Sequence, residues 1–387
     1  VPGTVIGLGM VSFFTDASSE LVAAFLPVYL LYGLGVSYVQ FGLLDGLYTG
    51  ATAVLRLAGG HLADRLARPK AIALAGYGLS AFTKLGFPLA GASVAGIGGL
   101  LALDRAGKGI RTAPRDAMIT AASDRGSLGR SFGAHRALDT AGALAGPLIA
   151  FALLAWVGNA YDAVFGASFC LGLVGVLILV FFVRDAPAPV VRPKVRIRES
   201  VKLLSTPALR RITLCVVVLG LATAGDAFLF VALAKQGGVP GNGLSLLPLG
   251  TAVIFLLCAV PAGRLADRLG RWRVFVAGQL LLVTAYGCVW LLTGWALVPV
   301  VLALHGLYYA ATDGVLMAHV GGLLPEHLRS SGMAVVQAGQ ALARMAAAIT
   351  FGALAQGWAL GPAFGVFAAA LLAATLFSTR ASRSVTP

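Results

Sequence analysis

Gly60-His61-Leu62-Ala63-Asp64-Arg65-Leu66 recurs as Gly263-Arg264-Leu265-Ala266-Asp267-Arg268-Leu269. Each copy follows the second long apolar run of its half, and Leu128 to Gly133 is echoed more weakly by Leu328 to Gly332 after the fourth. A string repeated at equivalent places marks a duplicated unit. What surrounds it is strongly apolar: 58% of residues are hydrophobic and only 11% charged, a balance that no water-soluble fold of 387 residues can bury.

Reading apolar runs against glycine, proline and charge predicts spans at 4–32, 38–60, 71–91, 95–121, 129–157 and 161–183, then at 212–236, 243–263, 273–294, 296–324, 330–358 and 360–379. The fold expected is an all-α integral membrane protein of about twelve transmembrane helices in two six-helix pseudo-symmetric bundles. Barrel strands are excluded because they alternate in polarity instead of running apolar. The domains expected are 1–183, a linker over 184–211, and 212–387.

A net charge of +14 raises nucleic acid as a partner, but the cations lie between apolar segments and mostly in alternate connections. Topology explains them. Basic short loops remain cytosolic, so both termini and the 184–211 linker, with Arg192, Lys194, Arg196 and Arg198, are expected at the cytosolic face of a bacterial inner membrane. The partners expected are the lipid bilayer, a small-molecule substrate and protons, with no nucleic acid, and the chain is expected to be a monomer. Cys170, Cys215, Cys258 and Cys288 have neither zinc-site nor disulfide spacing, so no metal or cofactor is expected. The N-terminus shows no signal-peptide pattern.

At the repeated loop the chain resembles the major facilitator superfamily over essentially its whole length. Gly60, Asp64, Arg65, Arg68 and Lys70 fit the family's loop between second and third helices, with Ala67 and Pro69 departing from it. Gly263, Asp267, Arg268, Gly270, Arg271 and Arg273 fit it better. The resemblance implies a cytoplasmic gate at Gly60, Asp64, Arg65, Gly263, Asp267 and Arg268, joined by Arg115, Asp116, His135, Arg136 and Asp139. Gly142, Gly146 and Pro147 resemble the core of a motif in the drug/proton antiporter branch, although Ala150 and Phe151 stand where that motif ends in glycines. An outer seal of the cavity is the role so implied.

Ionisable residues at mid-span are costly in a bilayer and mark pathways. Asp16 and Glu20, four apart, share one face of the first helix, and two such close carboxylates resist ionising together. Asp104, Lys108, Arg111 and Arg115 form one stripe on the fourth, with Arg105 adjacent. Proton coupling is assigned to Asp16, Glu20, Arg105 and Lys108, with the family's fourth-helix arginine mapping to Arg105 or Lys108. The substrate cavity is assigned to Asp104, Arg111, Asp226, Phe228, Phe230, Tyr308, Tyr309, Asp313, Gln337, Gln340 and Arg344. Asp226 and Asp313 bind a cation or pair with Arg344; the sequence leaves both open.

The function expected is a secondary active transporter working by alternating access, exporting a small amphipathic molecule by proton-coupled antiport. Two alternatives stand beside it. One is export of a transition-metal cation held by Asp16, Glu20, His135 and Asp139. The other is transport of an organic anion or siderophore clamped by Arg105, Lys108 and Arg111. No catalytic-size extramembrane domain or phosphate-binding glycine loop suggests an enzyme.

Overall fold

The computed structural model describes residues 2–51, 69–123, 128–158, 160–184, 205–324 and 329–383. Every regular element among them is helical: α1 (Gly3–Val28, prolonged by a π turn Tyr29–Gly33), α2 (38–51), α3 (Pro69–Ala90), α4 (Val94–Ala121), α5 (Leu128–Val157), α6 (Tyr161–Phe182), α7 (Pro207–Leu221), α8 (Asp226–Gly237), α9 (Leu247–Leu269), α10 (Arg271–Leu291), α11 (Leu297–Gly322), α12 (Arg329–Trp358) and α13 (Leu360–Arg383). Among the described residues nine segments are long and apolar enough to cross a membrane. The six charges of the α4 stripe keep that helix out of the nine, because any 18-residue window on it carries more than two of them. The multi-pass, all-helical fold expected from hydropathy is what forms. Gly60, Asp64 and Arg65 of the first gate loop, and 185–204 of the linker, lie outside the described residues.

One span departs from expectation. The continuous helix expected over 212–236 is instead α7 and α8, separated by extended backbone at Thr223, Ala224 and Gly225. The segment as a whole stays strongly apolar, so an apolar-run criterion passes over the interruption. The sequence Thr223-Ala224-Gly225 is nevertheless poor helix-forming material, and Gly225 becomes the N-cap of α8. Asp226 therefore begins a helix, where the positive end of the backbone dipole favours a carboxylate.

The chain packs as two compact units. One comprises Val1–Val36 and Ala51–Arg192, and the other Ser37–Gly50 and Pro193–Pro387. In the first, α1 packs on α5 and α6, and α3 on α4 and α6. Val5, Leu8, Val11, Tyr77, Met118 and Leu179 form a fully buried core there. Ser18 and Ser168 tie α1 to α6 by exchanging hydroxyl-to-carbonyl bonds of 2.7 and 2.9 Å.

In the second unit α7 packs on α12 and α13, and α10 on α11 and α13. These are the same four pairings, helix for helix, as in the first unit. The repeat written in the gate loops is thus also a repeat of packing. Residues 37–50 belong to this unit: Ser37 and Gln40 make a reciprocal cap at the start of α2, with bonds of 2.9 and 3.2 Å. Beyond it, Phe41 meets Phe228 at 4.9 Å and Phe228 meets Phe351 at 4.8 Å.

Candidate functional site

In the first unit a charge network runs along α4. Asp16, buried on α1, accepts from Arg111 at 3.3 Å and lies 3.6 Å from Lys108. Asp139 on α5 comes close enough to Asp16 for the two acidic groups to interact. Two bare carboxylates side by side repel, so such a pair favours holding one proton. Arg115 approaches Asp139 at 3.8 Å and binds Asp116 at 3.0 Å, while the exposed Arg136 lies 3.7 Å from Asp139. His135 Nε2 and the Ser12 hydroxyl are 2.9 Å apart, so the histidine belongs to the α1 face as well.

The small residues of α5 bring this about. A Cβ on Gly146 would stand 2.6 Å from the Leu21 nitrogen, and one on Gly142 would collide with the Phe13 carbonyl. Only glycine permits backbones this close. Because Gly142 and Gly146 face α1 on either side of Asp16, the approach they allow sets Asp139, a turn earlier on α5, against Asp16. Gly142, Gly146 and Pro147 thus lie within one unit, against α1, beside the carboxyl pair.

Asp104 lies elsewhere than the cavity position expected of it. It is buried against α3, where Lys84, Arg105 and the Ser80 hydroxyl all donate to it, the last at 2.6 Å. Arg105 is therefore engaged by Asp104, while Lys108 and Arg111 are the α4 cations paired with Asp16. Glu20 sits one turn further along α1, with no ion pair among the described residues. Arg111 also lies with its guanidinium carbon 4.5 Å from the centre of the Tyr77 ring.

The second unit holds a smaller cluster. Asp226 accepts from the Tyr309 hydroxyl on one oxygen and lies 3.4 Å from His305 Nε2 on the other. Arg344 donates to the Tyr308 hydroxyl at 2.6 Å, and Thr251 Oγ1 is 3.1 Å from His305 Nδ1. Phe230 meets the edge of His305 at 5.7 Å, whereas Phe228 is wholly buried among aromatic rings. Asp313 and Gln337 are exposed and stand apart from this group, and Gln340 contributes its backbone beside Gly220. Lys84, Tyr77, Ser12, Asp45, Thr251 and His305 take part in these clusters without having been singled out in the sequence. Lys84, Asp45 and His305 are polar residues inside apolar runs, and that same signal would have found them.

At the second gate loop, Asp267 binds Arg271 at 3.0 Å, and Arg271 in turn donates to the Ala318 carbonyl at 2.9 Å in the last turns of α11. Gly270, with φ of 100°, makes the corner between α9 and α10. Gly263 and Arg268 make none of these bonds. No group of three or more His, Cys, Asp or Glu side chains among the described residues gathers as metal ligands.

Comparison with known proteins places this geometry. The Major Facilitator Superfamily model matches residues 8–250 and 212–386. An uncharacterized MFS-type transporter of Methanocaldococcus jannaschii is 27% identical over 366 residues, covering 92% of this chain and 88% of the relative. An uncharacterized protein of Mycobacterium tuberculosis is 35% identical over 160 residues, covering 41% of this chain and 39% of its own. Among solved structures, the nucleoside transporter NupG superposes with a TM-score of 0.83 at 12% identity, covering 98% of both chains. A POT family transporter in complex with 5-aminolevulinic acid gives 0.82 at 14% identity, covering 100% of this chain and 97% of its own. A bacterial homologue of the lysosomal transporter Spinster gives 0.76 at 16%, covering 98% and 96%. At such identities the likeness is one of fold, but the family model spans nearly the whole length: the chain belongs to the Major Facilitator Superfamily of membrane transporters.

Proposed function

We propose that the protein is a proton-coupled antiporter of the inner membrane, with both termini in the cytosol, that exports a small amphipathic molecule by alternating access between halves 1–183 and 212–387. One observation carries this: the buried acids Asp16 and Asp139 on facing helices, with Lys108, Arg111 and Arg115 at their edges. Loss of a proton from this acidic pair frees negative charge that strengthens the hold on those cations. Regaining the proton loosens it. A group whose partners change with protonation can bias two conformations differently, which is the requirement for coupling.

The partial antiporter motif at Gly142, Gly146 and Pro147 supports the same reading, since it creates the α1–α5 approach on which the carboxyl pair depends. An organic-anion substrate is disfavoured because Arg105, Lys108 and Arg111 already face carboxylates.

The test is flux in proteoliposomes with an imposed pH gradient, first with a cationic dye and then with organic anions and divalent metals. Asp16→Asn and Asp139→Asn are each expected to abolish gradient-driven dye movement. Native rates in both variants would overturn the assignment. Metal-dependent flux without proton movement would favour the metal alternative.

A further inference from the structure

The repeat that duplicates the helix pairings also duplicates a carboxylate. Asp16-Ala17 sits on the first helix of the first unit, facing α4 and α5; Asp226-Ala227 sits on the corresponding helix of the second, facing α11 and α12. Asp16 meets cations and a carboxyl, whereas Asp226 meets a histidine.

We propose that His305, held between Asp226 and Thr251, is a second proton-carrying site, so that each half of the transporter carries its own proton. This extends the proton-coupled function beyond the Asp16–Asp139 pair. Three features of the geometry bear on it.

First, both ring nitrogens have a partner in either protonation state. Nε2 faces the Asp226 carboxylate at 3.4 Å, and Nδ1 faces the Thr251 hydroxyl at 3.1 Å. A hydroxyl donates to Nδ1 when the ring is neutral and accepts from it when the ring is charged, so a proton can come and go without leaving a buried group unpaired. Thr251 reaches the ring because Gly306 lets α11 close on α9: a Cβ there would stand 2.8 Å from the Thr251 carbonyl.

Second, the ring lies behind a less buried carboxylate: His305 is 1% exposed, and the Asp226 side chain in front of it is 40% exposed.

Third, the site is enclosed by polar groups on every side. Tyr308 and Tyr309 of α11 flank the ring, Thr251 of α9 meets Nδ1, and Asp226 in turn faces Arg344 from α12, Tyr286 from α10 and Asp45 from α2. The edge of Phe230 and the rings of Tyr308 and Tyr309, 5.1 to 6.1 Å away, surround the imidazole with aromatic groups.

The experiment is nitrogen NMR of the full chain, labelled at histidine and held in lipid nanodiscs, across roughly pH 5 to 9. His305→Gln identifies the resonance among the five histidines. The expected result is conversion between neutral ring and imidazolium within that window, lost from it in Asp226→Asn and altered in Thr251→Val. Asp16→Asn should leave it intact, which separates this site from failure of the first. A ring that keeps one state throughout overturns the proposal. So does a titration unchanged in Asp226→Asn, which would show that the carboxylate does not govern the ring's proton.

Discussion

At the scale of single residues, the informative contrast is between Asp104 and Asp16. Both are buried acids beside α4 cations, yet Asp104 is saturated by Lys84, Arg105 and Ser80, while Asp16 has longer contacts and a carboxyl neighbour. Saturation suits a structural role. Lys84→Met leaves Asp104 and Arg105 as a matched pair, whereas Asp104→Asn strands two buried cations. Removing one partner of a buried pair costs about 3–5 kcal/mol. Asp104→Asn should therefore lower the thermal midpoint in detergent far more than Lys84→Met, with dye transport falling only in proportion to folded protein. Asp16→Asn, whose contacts to Lys108 and Arg111 are longer, should cost less stability than Asp104→Asn while flux falls far below the proportion of folded protein.

At the scale of elements, glycine decides which helices touch. Gly142→Ala places a methyl against the Phe13 carbonyl, so α5 must move off α1 or shift along it. Overpacking of this kind costs about 1–3 kcal/mol. Its expected signature is a transport defect larger than the loss of folded protein, because the displacement parts Asp139 from Asp16. Gly133→Ala on the same helix meets open space and should be silent in both assays.

The corner between α9 and α10 gives a complementary case. Arg271 and Asp267 are both exposed, and such pairs are worth about 0–1 kcal/mol. Arg271→Ala should leave the thermal midpoint within a degree or two of native while slowing transport, if its bond to the α11 carbonyl serves the gate. Equal flux in the variant and the native protein would remove Arg271 from that role.

At the scale of the whole molecule, the alternation of basic connections predicts one orientation in the bilayer. Reporters fused after residue 383, and inserted into the 184–211 segment, should both read as cytosolic, and one inserted beside Gly294 as external. The repeat predicts more than symmetry. Helix pairings recur between units, but the polar contents of the two clusters differ: neighbouring acids among cations in one, a histidine between carboxylate and hydroxyl in the other. Collapse of the pH gradient with a proton ionophore is expected to halt dye export altogether.

Much of this was legible in the chain. Apolar runs gave the helices to within a few residues, because a lipid-facing backbone has few ways to satisfy its hydrogen bonds. The Leu-Ala-Asp-Arg-Leu strings gave the duplication, and mid-span charge gave Asp16, Lys108, Arg111 and Asp226. The break before Asp226 was not legible in the apolar run, because three residues of lower hydropathy are outweighed by the long apolar stretches on either side.

Pairing was not legible either. Helical periodicity says which residues share a face, but not which neighbouring face they meet. Asp16 and Glu20 share a face and read as a couple; the approach of α5 instead gives Asp16 the carboxyl of Asp139, which lies 123 residues along the chain. Asp104 and Arg111 share a stripe, yet α3 claims one and α1 the other. Sequence by itself determined that charge is buried in a duplicated bundle of membrane helices. Tertiary structure alone decided which charges neutralise one another, because that depends on distances of a few ångströms between helices whose closest approach is set by glycines far apart in the chain.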